Sequence, residues 1–253
     1  MDARSVAAAH GWAWILAGLR LFLRSPAQWI GVLVVLFVAM KMVNYLPLLA
    51  LLAVLLMPVF LAGLMDGCRA LTEGQRLEFA HLLSGFRRNA AHLVTLGGVY
   101  LVGNLLILMI VVQIGGEAFS TLAEMLARNG SVPAQPSQEM QAAATSVTRA
   151  ALIGAALSLP LLMAMWFAPL LTFFQDMKPL PALKLSFIGC LRNILPMSVY
   201  GLVILAALVM LVPFGLRIGL YDLGLWLIAP ILVPSIYASY RDIYIASATD
   251  TAV

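Results

Sequence analysis

Six long apolar stretches without a charged side chain determine what this chain can fold into. They are rich in Leu, Ile, Val and Ala. Because the hydrocarbon core of a bilayer is about 30 Å thick, a helix needs roughly 20 apolar residues to cross it. The stretches are Ser25–Met40, Leu46–Met65, Leu93–Gly116, Ala150–Gln175, Asn193–Leu216 and Leu223–Tyr240. We therefore predict an all-α integral membrane protein with six transmembrane helices.

The composition agrees with a membrane environment and excludes an ordinary soluble domain. The 253 residues are 63% hydrophobic and 10% charged, and the mean hydropathy is +1.00. Soluble domains are about half apolar and about a quarter charged, so this chain lacks the polar surface that water requires. A transmembrane β-barrel would alternate apolar and polar residues over strands of about 10 residues. The sequence shows no such alternation.

The basic residues are distributed unevenly between the two ends of the predicted spans. With six spans both termini share one side, and eleven of the fifteen Lys and Arg residues fall on that side. Because basic loops remain in the cytoplasm, we predict a multi-pass protein of the bacterial inner membrane with both termini cytoplasmic. The net charge of +4 then forms a basic belt beside anionic phospholipids. We prefer this explanation to nucleic-acid binding. No cleavable signal peptide is expected, since Arg20 and Arg24 interrupt the first apolar segment.

A segment with apolar residues at helical spacings of three and four precedes the first, third and fifth spans. These segments end at Arg24, Arg88 and Arg192, which we call the junction arginines. The pattern is typical of amphipathic helices that lie among lipid headgroups. We therefore interpret the chain as one membrane domain, residues 1–253, built from three transmembrane hairpins that each follow an interfacial helix. The corresponding repeats are 12–65, 79–175 and 183–240, and three unrelated hairpins are the alternative.

The candidate functional residues lie at these junctions. Basic side chains at this level of the membrane would bind the phosphate groups of lipids. The candidates for headgroup contact are Arg20, Arg24, Arg87, Arg88, Lys184 and Arg192. A polar residue follows each junction arginine, and its side chain could accept hydrogen bonds from the first turn of the next helix. The predicted helix caps are Ser25, Asn89 and Asn193.

The middle repeat contains a predicted external insertion, residues 115–149. Its first part, GEAFSTLAEMLARNG, has a helical apolar face, and Asn129-Gly130 marks a helix end. The loop SVPAQPS follows, after which Ser137 can cap a helix that runs into the fourth span. We expect that helix to kink at Pro160 and Pro169. The insertion either docks a partner outside the membrane or lies on the membrane and its own bundle, and we prefer the second reading.

The sequence contains no catalytic, cofactor-binding or metal-binding pattern. The three histidines, His10, His81 and His92, are separated, and no acidic or basic residue lies deep inside a predicted span. Cys68 and Cys190 fall on the predicted cytoplasmic side, where a structural disulfide is disfavoured, so we interpret them as small apolar fillers. We expect a protein that is not an enzyme and has no cofactor.

Two aspartates follow spans on the predicted cytoplasmic side. Asp66 ends the second span and Asp176 ends the fourth. They could pair with Arg69 and Lys178, and an ion pair or a role at a helix end is preferred to a catalytic dyad, because nothing in the sequence brings the two carboxylates together.

Several pieces of the chain resemble one protein family. The most specific are WFAP, PLPALKLSF, CLRN and YASYRDIY, together with their order along the chain. In these pieces the chain is similar to an uncharacterised family of bacterial inner-membrane proteins, known as hypothetical transmembrane proteins. The likeness covers nearly the whole chain outside Gly115–Arg149. The resemblance implies six helices and no known enzyme activity.

Two classes of function remain open. The first is a non-catalytic scaffold or accessory subunit that binds phospholipid headgroups and a membrane protein partner or a second copy of itself. The second is a passive carrier for a lipid or an apolar small molecule, with kinked helices forming a cavity. The absence of buried charge from the predicted spans favours the first class.

Overall fold

A computed structural model describes residues 2–43, 47–129, 137–217 and 223–245. Over these ranges the chain is helical with short connections, and no strand is present. The elements are α1 (His10–Arg24), α2 (Pro26–Val43), α3 (Pro47–Thr72), a 3₁₀ turn (Phe79–Leu83), α4 (Ser84–Arg87), α5 (Ala90–Asn129), α6 (Gln138–Trp166), α7 (Ala168–Gln175), α8 (Pro179–Arg192), α9 (Ile194–Arg217), α10 (Leu223–Tyr240) and a π-helix (Arg241–Ile245). The predicted all-α class is confirmed.

Five helical stretches of the described residues are long and apolar enough to cross a membrane. They are Pro26–Val43, Leu49–Thr72, Ala90–Met125, Gln138–Gln175 and Ile194–Leu211. Because they coincide with the first five predicted spans, the multi-span character of the protein is confirmed. The sixth predicted span forms α10 with the predicted bounds, but it is not among these five stretches.

The chain divides into two compact units. The larger unit comprises Met1–Gly98 and Met163–Val253, and the smaller unit comprises Val99–Leu162. The core of the larger unit is apolar and aromatic. Its largest fully buried side chains include Trp29, Phe167, Tyr200 and Tyr240.

In the larger unit, α1 packs into the helix bundle. It lies mainly against α10 and also against α9 and α3. Its buried residues, Gly11, Trp14, Gly18 and Leu21, recur at spacings of three and four. A side chain at Gly18 would collide with the backbone of α10 at Ile231 and Ser235, so only glycine permits this close approach. The face that α1 buries is therefore a protein contact, and apolar side chains also remain on its outer face.

The predicted amphipathic helix before Arg88 is corrected by the structure. Residues Phe79–Leu83 form a 3₁₀ turn, and Ser84–Arg87 form a single α-helical turn. Two glycines bring this segment against α3, because Gly63 faces the backbone of the 3₁₀ turn and Gly85 faces the carbonyl of Val59. Close backbone packing thus replaces the continuous helix that the spacing predicts.

The fourth predicted span is broken into α6 and α7 at Phe167, directly before Ala168-Pro169. A proline removes a backbone donor and crowds the preceding turn, which leaves polar groups to be satisfied inside the protein. Ser186 of α8 satisfies two of these backbone groups. Its hydroxyl accepts from Phe167 N at 2.9 Å and donates to the carbonyl of Met163 at 2.8 Å. The break expected at Pro169 is confirmed, whereas α6 continues through Pro160.

The smaller unit is formed by α5 from Val99 to its end and by α6 from its beginning to Leu162. α5 has 40 residues, which corresponds to about 60 Å of helix, so the third span and the first external helix are continuous. α5 ends at Asn129 as predicted, and Ser137 caps α6 by accepting from Met140 N at 3.1 Å. The rest of the predicted loop, 131–136, lies outside the described residues. Within the unit Gly103 packs against Leu161.

Candidate functional site

The six predicted headgroup residues fall into two groups. Arg20, Arg87 and Lys184 are exposed, and within the described ranges they form no hydrogen bond or ion pair. Their cations are therefore free to meet ligands from outside the protein. The three junction arginines instead bind other parts of the chain.

Each junction arginine fixes a distant segment. Arg24 Nη1 donates to the carbonyl of Leu71, at the end of α3, at 2.9 Å. Arg192 Nη1 donates to the carbonyl of Ala3 at 3.1 Å. Arg88 binds the carboxylate of Asp176 through two nitrogens, at 3.2 and 2.7 Å. These three side chains therefore stabilise the places where the segments that precede the predicted hairpins meet other parts of the chain.

The Arg88–Asp176 pair replaces a predicted one. The expected contact between Asp176 and Lys178 is wrong, whereas the expected pair of Asp66 with Arg69 is confirmed at 2.6 Å. Hydrogen bonds from Arg88, and then from Asn89, lower the pKa of the Asp176 carboxyl. The carboxylate consequently stays charged at the exposed junction.

The three predicted capping residues directly precede their helices, and each main-chain carbonyl accepts a bond from the helix that follows. Their side chains bind elsewhere. Ser25 Oγ donates to the side chain of Gln28 at 2.7 Å, and Asn89 Nδ2 donates to the carbonyl of Thr172 at 2.9 Å. Asn89 also has a positive φ of 56°, a conformation that asparagine tolerates better than most residues.

Asn193 binds the amino-terminal segment, which we define as residues 2–9. Its Oδ1 accepts from Val6 N at 2.9 Å, and its Nδ2 donates to the carbonyls of Arg4 at 2.8 Å and Gly189 at 2.9 Å. The amide thus pairs with two main-chain groups of this segment, the N–H of Val6 and the carbonyl of Arg4. Because Asn193 is fully buried, each of these bonds removes a polar group that would otherwise be unsatisfied.

Asp242, in the π-helix, connects three elements. Its Oδ2 lies 2.6 Å from His10 Nδ1 and accepts from Trp14 Nε1 at 2.8 Å. Its Oδ1 pairs with Arg4, whose main-chain N–H donates to the carbonyl of Ile243 at 3.1 Å. Burial by itself raises the pKa of Asp242, but the bonds from Trp14, His10 and Arg4 together lower it below its usual value.

A cavity of about 470 Å³ opens beside this cluster, within the larger unit. It lies where the ends of α1, α3 and α10 meet the π-helix. Three arginines contribute to its wall, and two of them are predicted headgroup residues. The lining residues are Ala17, Arg20, Leu21, Arg24, Thr72, Tyr237, Ala238, Arg241, Asp242 and Ile245. We call this the arginine cavity.

The sequence of a known protein aligns with nearly the whole chain. A probable inner membrane protein of Burkholderia thailandensis is 32% identical to it over 259 residues, covering 95% of this chain and 93% of that protein. This chain belongs to the same family of inner-membrane proteins. The resemblance inferred from the sequence is confirmed. No family model matches the chain, and no solved structure matches it.

This protein exposes many apolar side chains. Its membership of a bacterial inner-membrane family explains them, because a lipid bilayer then surrounds these side chains. On α5 and α9 these include Val102, Met109, Leu202 and Met210. In a bilayer such side chains contact lipid tails. The arginine cavity and the Asp242 cluster lie at helix ends, where polar groups of this inner-membrane protein can meet headgroups or water.

The Asp242 cluster was not predicted. The only local signal is the Arg241-Asp242 dipeptide inside YASYRDIY, an acid directly after an apolar span. Its partners Arg4 and Trp14 lie more than 200 positions away in the chain. Among the residues described, no group of three metal-ligating side chains is found.

Proposed function

We propose that this inner-membrane protein is a non-catalytic scaffold or accessory subunit that binds anionic lipid headgroups on one side of the membrane. A free cation next to exposed apolar side chains is the arrangement that binds a membrane interface. All three segments that precede the predicted hairpins have a free cation together with exposed apolar side chains, and this observation supports the proposal most strongly.

The arrangement recurs in three different local structures. On α1, Arg20 is exposed together with Trp12 and Leu23. On the 3₁₀ turn and α4, Arg87 is exposed together with Phe79, Leu83 and Phe86; on α8, Lys184 is exposed together with Leu180 and Leu191. The junction arginines contribute to this surface mainly by fixing its geometry.

A non-catalytic role is supported by the bonding of Asp242, which contacts the imidazole of His10 in the described part of the chain. Catalytic histidines pass protons between a nucleophile and a carboxylate. Asp242 is shared among His10, Arg4 and Trp14, and no described serine, threonine or cysteine side chain bonds to His10. We infer that this cluster has a structural role.

Headgroup binding predicts a response to anionic lipid. Phosphatidylglycerol added to the protein in mild detergent should raise its melting temperature more than phosphatidylcholine does. Each cation near a lipid surface contributes about 1 kcal/mol, so Arg87→Gln combined with Lys184→Gln should reduce the phosphatidylglycerol effect. Arg149→Gln is the control, because Arg149 is exposed on the opposite predicted side. An equal response to both lipids in every variant would contradict the proposal.

We further propose six spans in three hairpins with both termini in the cytoplasm. Cys68 and Cys190 are buried, so they provide a silent background for thiol labelling. Gln75 and Glu139 are exposed and are predicted to lie on opposite sides. In cells with a permeable outer membrane, an impermeant thiol reagent should label Glu139→Cys at once and Gln75→Cys only after the inner membrane is opened. The reverse pattern would overturn this orientation.

Contact with a membrane protein partner or a second copy is the other part of the proposal. It is supported by exposed small residues on α6, Ala151 and Ala155, because small residues allow helices to approach closely in lipid. Native mass spectrometry in mild detergent would detect either assembly.

The alternative function, a passive carrier, requires a lipid-sized cavity among the spans. An apolar cavity between α1, α9 and α10 measures about 110 Å³. Ligand sites usually enclose about 300–1,000 Å³, so this space is too small for a lipid. This space therefore gives the carrier no support, and we favour the scaffold because exposed cations accompany apolar side chains on all three segments.

A further inference from the structure

We infer that the arginine cavity is a discrete site for a doubly charged phosphate group, as found on a phosphomonoester lipid headgroup. The inference rests on the proposed function, which needs only general attraction to anionic lipid. The volume of about 470 Å³ is within the usual range for ligand sites. Three arginines, Arg20, Arg24 and Arg241, line this one space.

The carboxylate in the lining, that of Asp242, does not neutralise the positive charge of these arginines. Asp242 already binds Arg4, His10 and Trp14. Arg20 and Arg241 form no hydrogen bond or ion pair with the described part of the chain. A phosphodiester carries one negative charge, whereas a phosphomonoester carries about 1.5 to 2 at pH 7. The excess positive charge therefore favours a monoester.

One of the three arginines, Arg24, is held in place before a ligand arrives. The bond from Arg24 to the carbonyl of Leu71 fixes that side chain and leaves its other N–H groups for a ligand. Arg241 is the first residue of the π-helix, and Thr72, whose hydroxyl donates to the carbonyl of Arg69 at 2.7 Å, and Tyr237 complete the polar part of the lining. Guanidinium groups bind phosphate oxygens in pairs, and Arg24, which is already fixed, loses little entropy on binding.

The remaining wall is apolar, as a lipid requires. Ala17, Leu21, Ala238 and Ile245 line it. The outer face of α1 also exposes Leu23, one residue before Arg24. A headgroup could thus occupy the cavity while its acyl chains follow the apolar surface of α1. A soluble phosphate ester would use the arginines alone.

The test compares dissociation constants for phosphatidate, a phosphomonoester, and phosphatidylglycerol, a phosphodiester, using the full-length protein in mild detergent. The wild type should bind phosphatidate about tenfold more tightly, the effect of one additional charged hydrogen bond. Arg20→Gln combined with Arg241→Gln should reduce this ratio to about one. Arg20→Lys with Arg241→Lys should restore part of it. Elution volume and melting temperature establish that each variant is folded.

The control is Arg87→Gln with Lys184→Gln, which removes the same charge from outside the cavity. It should weaken the binding of both lipids and leave the ratio of their dissociation constants unchanged. If the cavity variant keeps the wild-type ratio of dissociation constants, the proposed site is wrong. The same holds if the control variant loses this preference for phosphatidate to the same extent. In both cases the proposal of general headgroup binding is unaffected. If neither anionic lipid binds more tightly than phosphatidylethanolamine, the proposed function itself fails. Glycerol 3-phosphate with the affinity of phosphatidate would confirm the phosphate site and assign it to a soluble ester.

Discussion

Replacing Asp242 by asparagine is expected to lower the stability of the folded protein by about 2–4 kcal/mol. One charged oxygen becomes an NH₂ group that cannot accept, so the acceptor shared by His10 and Trp14 or the acceptor of Arg4 is lost. In either case Arg4 loses its counter-ion. The amino-terminal segment, α1 and the π-helix should then separate more easily. Thermal unfolding in detergent measures the loss, and Glu73→Gln, at an exposed acid, is the control.

The effect of this substitution should depend on pH with a defined sign. Because the folded pKa of Asp242 is lowered, its stabilising contribution is complete above the ordinary carboxyl pKa of about 4. The contribution is lost as the pH falls through the folded value. The melting temperatures of wild type and Asp242→Asn should therefore differ most near neutral pH and converge in acid. A difference that stays constant into acid would show that the charge of Asp242 contributes nothing.

Gly18→Leu is expected to abolish the packing of α1 on α10. A Cβ at this position would lie 2.5 Å from the carbonyl oxygen of Ile231 and 2.8 Å from the nitrogen of Ser235, and neither backbone can move independently. Overpacking of this kind costs about 3 kcal/mol or more. We expect poor yield and early thermal unfolding, with Gly18→Ala showing a smaller loss in the same direction.

Gly201→Leu provides the matched control on another helix. A Cβ at Gly201 of α9 meets no atom within 4 Å, so leucine there should point into lipid. Leucine also favours a helix over glycine by somewhat under about 1 kcal/mol. The variant should be as stable as wild type or slightly more stable. Equal losses at the two positions would mean that close approach at Gly18 does not explain the packing.

The predictions from the sequence that proved correct depend on residues that are close together in the chain. A span must be apolar for about 20 residues wherever it lies in the fold, and α2, α9 and α10 therefore appear close to the expected positions. Ser137 caps α6 as predicted, because its partner Met140 is three residues away. The break at Phe167 follows from Pro169, whose effect is also local.

The incorrect parts are those where a local signal competes with a distant partner. Asn193 has the residue type and position of a helix cap, but its amide is used by the backbone of Arg4 and Val6. Asp176 lies two residues from Lys178, yet binds Arg88. Spacing alone cannot detect these partners, since they are brought together only by the folding of other segments.

The sequence by itself determined that this protein is a helical inner-membrane protein, where its long apolar helices lie, and that basic residues accompany the segments before the predicted hairpins. Hydrophobic length and charge are sufficient for those conclusions, because lipid acts on each segment separately. The tertiary structure decided which basic residues are free, and it placed Arg20, Arg24 and Arg241 around one cavity. It also made Asp242 the meeting point of both ends of the chain, since ion pairs and buried hydrogen bonds require an approach of about 3 Å.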